Sequence, residues 1–360
     1  MIYTIRFEHL KFYSLLARVP HFMFSYASNF RILPHPVMMT WEITYRCPTK
    51  CISCARWRSN RTIDELSIQE GKLLIDDAYR LGVRLLVISG GDPLMKKDCI
   101  LIGHYARMKG MRTVLCTNGF NITTENISNL LESFDVFELP IDSLNPEIHD
   151  SFRGVKGSFE RTLAAIRLIE MSKKPSHGIE ITTVVRDNNY REVAEINRIF
   201  AAMSIVTAMQ PLHQNIYGAK TSDKFEWAKK IDLDWNSMVD DYQWYDQFSK
   251  YALENYFKGI LKYIRQPQLP DHSYKCFAGS YSFNVDPEGN IFICDGLRTS
   301  LGNVREKPLK MIWEELRIKR TIISSNKREC NCWLLCNAPP SLFLSKFIKP
   351  IDLIKKIGSL

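Results

Sequence analysis

The segment Cys47-Pro-Thr-Lys-Cys51-Ile-Ser-Cys54 constrains this chain more than any other. It directly follows Trp41-Glu-Ile-Thr-Tyr-Arg46, the end of an apolar, β-branched stretch that reads as a buried strand. Three thiolates on one short loop can grip three irons of a four-iron cubane and leave the fourth iron open to a ligand. Two duller readings compete. Cysteines are often small buried hydrophobes, and clustered thiolates also build structural zinc sites, usually from paired knuckles that supply four ligands. The triplet alone does not choose among them, so the rest of the chain must.

With 360 residues there is room for one large domain or two of ordinary size. At 45% apolar and 24% charged the composition is globular. A chain of this length does not need disulfide staples, so ten cysteines point to metal and a reducing, cytoplasmic setting rather than a secreted framework. Charged residues break the first apolar runs, and Pro20, His21, Ser25, Ser28 and Asn29 break the next, so no secretion signal forms. No run approaches the ~20 apolar residues that span a bilayer.

The formal charge of +9 is concentrated at the ends. Arg6, Lys11, Arg18 and Arg31 outweigh Glu8 in residues 1–36, and Lys346, Lys349, Lys355 and Lys356 outweigh Asp352 in residues 341–360. The tail also alternates apolar and lysine positions at helical spacing. Such an end either docks its apolar face on the protein or lies on an anionic membrane as a peripheral contact. Nucleic acid is not expected, because the basic residues form no long block with interleaved aromatics.

From residue 37 onward strand-like and helix-like segments alternate. Strands are expected over Val37–Tyr45, Arg84–Ser89, Arg112–Thr117, Val136–Ile141, Gly178–Val185 and Ser204–Leu212. Helices are expected from Ser67 to about Leu81, near 97–109, over Ile122–Phe134, near 158–172 and over Tyr190–Met203. Ser67-Ile-Gln-Glu70 is a capping box and Gly82 a C-terminal cap, with Leu73, Leu74, Ala78 and Leu81 expected on one buried face. Six such units predict an α/β fold, a partial (β/α)6 barrel of parallel strands, with its chemistry at the strands' C-terminal ends. The cysteine loop, Gly90-Gly91-Asp92-Pro93, Thr117-Asn118-Gly119 and Asp142-Ser143 all fall on that rim. The expected division is an extension over 1–36, the barrel over 37–212, a linker or cap over 213–275 with a helix around Trp244–Ile264, a cysteine domain over 276–340, and the tail.

In the cysteine domain, Asp286-Pro-Glu-Gly-Asn290 is turn chemistry that folds Ser282–Cys294 into a β-hairpin and carries Cys294 back towards Cys276. Cys330, Cys332 and Cys336 follow. Four of these five thiols make a coordinatively full site, with zinc as the rival to iron and sulfide. Cys99 and Cys116 have no partner at ligand spacing and read as core thiols.

Taken together these motifs resemble the radical S-adenosylmethionine (radical SAM) superfamily with a C-terminal auxiliary-cluster domain of the SPASM or twitch type, over about residues 37–340. The resemblance implies that Cys47, Cys51 and Cys54 hold a [4Fe–4S] cluster whose open iron binds S-adenosyl-L-methionine. It implies that Gly90, Gly91, Asp92, Pro93, Thr117 and Asn118 cradle that molecule, Asp92 accepting from its ammonium, and that Asp142 and Ser143 meet its ribose. One auxiliary [4Fe–4S] cluster falls to Cys276, Cys294, Cys336 and Cys332, with Cys330 the alternative to Cys332. Electrons would come from a flavodoxin- or ferredoxin-type donor, and cleavage of the S–C5′ bond would give a radical that abstracts hydrogen from an unactivated carbon. This chain departs from the family in Ser53, where an aromatic is usual, in Asp92, where Glu is commoner, and in the compressed Cys330-Asn-Cys332.

The resemblance implies a substrate among ribosomal peptides, carbohydrates, lipids and cell-envelope precursors; the basic ends favour a lipid at a membrane surface, and a small-molecule or lipid substrate is expected. With only 36 residues before the first strand, a ribosomal-peptide maturase is the alternative reading, and a non-catalytic zinc or electron-transfer protein the rival from another class.

Overall fold

The computed structural model describes residues 35–58, 63–212, 247–265, 276–296, 300–315, 332–336 and 338–345, with Met23, Tyr274 and Arg298 as single residues. The expectations for residues 1–34, for most of the 213–275 segment, for Cys330 and for the tail beyond residue 345 lie outside the described residues.

The elements run β1 (Met38–Thr44), α1 (Ile68–Leu81), β2 (Leu85–Gly90), α2 (Cys99–Met108), β3 (Arg112–Cys116), α3 (Ile127–Ser133), β4 (Val136–Pro140), α4 (Pro146–Arg153), α5 (Ser158–Ser172), β5 (Gly178–Val185), α6 (Val193–Ala202) and β6 (Val206–Pro211). Then come α7 (Gln247–Arg265), β7 (Ser282–Val285), β8 (Asn290–Phe292) and β9 (Ser300–Asn303). The sheet order is β6-β5-β4-β3-β2-β1-β7-β8-β9. Strands β1 to β6 are parallel, as the alternating pattern predicts.

The sheet does not stop at six parallel strands. β7 pairs parallel with β1, Met38 opposite Ser282 and Trp41 opposite Val285, and only then does the hairpin turn antiparallel through β8 and β9. The sequence places the hairpin in a domain of its own, but it is an extension of the barrel sheet.

Alternation along the strands sorts residues between two faces. On β1, Met39, Trp41 and Ile43 join the large core under the helices, while Met38 joins an inner cluster with Leu85, Val87, Val114 and Val136. Phe277, Tyr281 and Leu344 close that inner cluster from the C-terminal region. Leu344 belongs to a helical turn over residues 338–345 in which Leu342 and Leu344 are both buried, so this start of the tail docks on the body.

Helix α1 forms as its termini dictate. Ser67 and Glu70 close the capping box, and Gly82 caps the other end at φ +117°. Its buried face is Gly71, Leu74, Ile75, Ala78 and Leu81, whereas Leu73 is 66% exposed. Leu73 was expected inside, but one residue is about 100° of helix rotation, and the stripe centred on Leu74 and Ala78 turns Leu73 outward. Other boundaries shift by a few residues, most of all α3, which starts at Ile127 rather than Ile122. Helix α4 was not expected, although Asn145-Pro146 signals it: the Asn145 side chain accepts from Glu147 N–H and Pro146 takes the first turn.

Candidate active site

The cysteine loop is held by α4. Lys50 N–H donates to Arg153 C=O at 2.9 Å and Ile52 N–H to Phe152 C=O at 3.1 Å. Gly154, at φ +67°, makes that approach possible, since a Cβ there would sit 2.5 Å from the Lys50 carbonyl. Trp57 Nε1 donates to Cys51 C=O at 3.0 Å and closes the far side.

The sulfurs have the surroundings of metal-bound thiolates. Thr49 Oγ1 lies 3.1 Å from Cys47 Sγ and 3.4 Å from Cys51 Sγ. Asn118 Nδ2 donates to Cys47 Sγ at 3.8 Å and Arg153 Nη1 to Cys51 Sγ at 3.9 Å. Donors aimed at sulfur stabilise an anionic ligand, and an inert core thiol would not collect them. Burial raises the Cys47 thiol and pushes Cys54 up to about 11, so the positive charge of iron would be needed to hold these sulfurs as thiolates. Among the described residues no three Cys, His, Asp or Glu side chains close around one metal ion. Ligands of a cubane attach to separate irons and need not converge in that way. The residues fit the cluster.

The glycine turn after β2 locks onto the same loop. Gly91 N–H donates to Thr44 C=O at 2.7 Å and Asp92 N–H to Arg46 C=O at 2.8 Å. A side chain at Gly90 (φ +132°) or Gly91 would overlap the backbone of residues 44–46. Gly90, Gly91, Thr117 and Asn118 line a cavity of ≈ 210 Å³ together with Cys47, Cys51 and Cys54. Four of the expected cradle residues are therefore brought to the cluster loop.

The other four are not. Asp92 is fully buried: one carboxylate oxygen accepts from Leu94 N–H at 3.0 Å, the other from Thr117 Oγ1 at 2.8 Å and Asn118 N–H at 3.0 Å. It ties the β2 turn to the β3 rim, and Pro93, next to it, is buried as well. Asp142 accepts from Arg153 Nε at 2.7 Å and from Val184 N–H at 3.0 Å, and Ser143 Oγ donates to Glu192 at 2.7 Å. Both are buried and do not line the cavity. The reason is α4, which folds back over the end of β4 and turns these polar groups inward. Pro140 stands at the cavity wall in their place. Beside Asp142, burial lowers His149 to about 4, so the ring is neutral and accepts at Nδ1 from Asp142 N–H at 3.2 Å rather than making an ion pair.

The sequence reading missed the opposite wall. Cys116, expected as a core thiol, lines the cavity and donates to Glu138 at 3.0 Å. Thr182 Oγ1 donates to the other Glu138 oxygen at 2.6 Å. Their position could have been found by counting: residues 114 and 116 alternate with Leu115, so Cys116 shares the inner face with Val114. Burial pushes the Cys116 thiol up to about 12, which leaves it a neutral donor. Cys99 is the core thiol expected, fully buried at the first position of α2.

At the second site, Cys336 lies close enough to Cys294, Cys276 and Asp295 that their charges add to burial in raising its thiol well above the usual range. Leu334 N–H donates to Cys332 Sγ at 3.5 Å. Helix α7 seats this loop: Tyr256 O–H reaches Met209 C=O at 3.0 Å and Trp333 C=O at 2.9 Å, and the Trp333 ring packs closely against Gly259. These four expected cysteines also suit a cluster: Cys294 and Cys332 are buried, Cys276 and Cys336 partly so, Cys336 lies near Cys276 and Cys294, and Cys332 has an N–H donor.

Comparison with known proteins agrees with both sites. Residues 41–199 match the radical SAM superfamily and residues 276–337 match SPASM, an iron–sulfur cluster-binding domain. The chain is 28% identical over 314 residues to an AdoMet-dependent heme synthase of Methanosarcina barkeri, covering 82% of this chain and 87% of that protein. It is 28% identical over 298 residues to the PqqA peptide cyclase of Rhizobium meliloti, covering 79% and 75%. In fold it is similar to Streptococcus suis SuiB, solved with its precursor peptide SuiA, at TM-score 0.58 and 16% identity over 81% of this chain and 68% of that one. No described helix is long and apolar enough to cross a membrane. The domains bring with them S-adenosylmethionine, the [4Fe–4S] cluster that binds it, and auxiliary iron–sulfur chemistry: this chain belongs to the radical SAM superfamily and carries a SPASM domain.

Proposed function

We propose that this radical SAM enzyme abstracts a hydrogen atom from an unactivated carbon of a peptide substrate, modifying the peptide with the help of one auxiliary [4Fe–4S] cluster. The observation that carries the reading is the single cavity that joins the three cysteines of the first loop to Cys116, Glu138 and Thr182 on the opposite wall. When bound there, the cluster and S-adenosylmethionine would supply the 5′-deoxyadenosyl radical. The chain's own residues do the remaining work. Cys47, Cys51 and Cys54 would hold the cluster, Gly90 and Gly91 let backbone approach the ligand, and Asn118 and Arg153 steady the sulfurs. Glu138, held by Thr182 and Cys116, offers a fixed acceptor to a substrate N–H or O–H. Cys276, Cys294, Cys332 and Cys336 would hold the auxiliary cluster, with a flavodoxin- or ferredoxin-type donor as the electron source.

Relatives named for peptide chemistry support this substrate class over the lipid one that the charged ends favour and over the cell-envelope or carbohydrate ones. A heme-type macrocycle is the second reading, favoured by the match that spans 87% of a heme synthase. The test is anaerobic incubation of iron-loaded protein with dithionite and S-adenosylmethionine, without and with a peptide library or an iron porphyrin. Release of 5′-deoxyadenosine stimulated by peptide supports the proposal, stimulation by porphyrin alone moves it to the second reading, and no release at all overturns both.

A further inference from the structure

Arg56, two residues beyond Cys54, reaches across 239 positions of sequence to Asp295, the residue after Cys294. Its Nη2 donates to Asp295 Oδ1 at 3.2 Å and also to Glu42 Oε1. Arg298 mirrors it, donating to Glu42 Oε2 at 3.1 Å and lying 3.9 Å from Asp295. Glu42, Arg56 and Asp295 are each at least nine-tenths buried. Two acids and two guanidiniums thus alternate in a network with no net charge, at one end in the cavity of the first cysteine loop and at the other beside the second cysteine set. Asp295 directly follows Cys294 in the chain, and Arg56 lines the first cavity.

Burying three of these four charges is costly, and an apolar contact could join the two loops as well. What an ion-pair network adds is fixed charge beside each site. Charge near an iron–sulfur centre sets its reduction potential, a negative neighbour making reduction harder and a positive one easier. We propose that the Glu42–Arg56–Asp295–Arg298 network couples the two centres electrostatically, so that the guanidinium of Arg56 offsets Asp295 at the auxiliary centre while facing the S-adenosylmethionine cavity. Arg56 is here a positioning residue, and the inference rests on the functional reading above. Coupling is reciprocal, so occupancy of the cavity by S-adenosylmethionine must change the auxiliary potential as much as reduction of that centre changes the affinity for S-adenosylmethionine.

The experiment is an EPR-monitored redox titration of the full chain, iron-loaded, with and without S-adenosylmethionine, for wild type, Arg56→Gln, Asp295→Asn and the double variant. Arg56→Gln should lower the auxiliary midpoint potential and Asp295→Asn raise it. The double variant should return towards wild type, and the shift caused by S-adenosylmethionine should fall at least twofold in each single variant. A packing role would not give opposite signs. Unchanged potentials, or shifts in the same direction, overturn the proposal. If either variant fails to load iron, Arg298→Gln, which touches neither cavity, must move the potential in the same direction as expected for Arg56→Gln. A null result there, or failure of all three variants to load, also overturns it. Wild type that loads no iron and sulfide, or releases no 5′-deoxyadenosine, would instead sink the functional reading.

Discussion

Arg153 holds Asp142 through Nε at 2.7 Å, and through Nη1 it points at Cys51 Sγ, 3.9 Å away. A carboxylate at the end of β4 therefore fixes the cation that faces a cluster sulfur, although it never enters the cavity. Replacing Asp142 by Asn leaves the buried guanidinium without its charge partner, a loss of roughly 3–5 kcal/mol. Urea denaturation of iron-loaded protein should show it, along with faster loss of iron to a chelator.

Asp92 carries three hydrogen bonds across the rim. Asp92→Ala strands Thr117 Oγ1 and the N–H groups of Leu94 and Asn118, and each buried donor left unsatisfied costs about 1–3 kcal/mol. The midpoint of chemical unfolding should fall steeply. Affinity for S-adenosylmethionine, measured calorimetrically, should fall too, because Asn118 is then free to shift away from Cys47.

The two lone cysteines should separate cleanly. Cys99→Ala is expected to cost about 1–2 kcal/mol of core packing and leave iron content unchanged. Cys116→Ala should also leave iron content unchanged, but lower substrate-dependent formation of 5′-deoxyadenosine by releasing Glu138. Cys51→Ala should lose the first cluster, seen as missing iron and absorbance.

His149 titrates at about 4 in the fold against about 6.5 when unfolded. Between those values the unfolded chain binds the extra proton, so stability falls as pH drops from 6.5 to 4 and is unaffected by this group above that window. The full contribution is roughly 3 kcal/mol. In His149→Gln the pH dependence of unfolding free energy across that window should be shallower by about that amount.

Gly259→Ala places a methyl group in the ring of Trp333. Overpacking of this kind typically costs about 1–3 kcal/mol. Since Trp333 sits between Cys332 and Cys336, the variant should lose auxiliary iron before the first cluster, as resolved by EPR.

What was legible in the sequence was whatever short-range chemistry determines. Ser67 and Gly82 announce α1, the turn residues 286–290 announce the hairpin, and C-x3-C-x2-C announces the cluster loop. Side-chain direction at the rim was not legible. Asp142 and Ser143 end a strand just as Thr117 and Asn118 do, but α4 covers one pair and leaves the other open, and that difference is set by tertiary packing. Arg56 and Asp295 were invisible for the same reason, because nothing local relates residues that meet across two domains. Cys116 could have been placed by its period-two position, had its lack of a partner not been taken for inertness.

The pairing of β1 with β7 orders events during synthesis. Met38 leaves the ribosome long before Ser282 exists, so one edge of the first strand waits, hydrogen-bonding groups unpaired, until the SPASM hairpin emerges to cover it. Arg56, just past the cysteine loop, therefore meets Asp295 only after that hairpin has paired with β1, so the ion-pair network closes last.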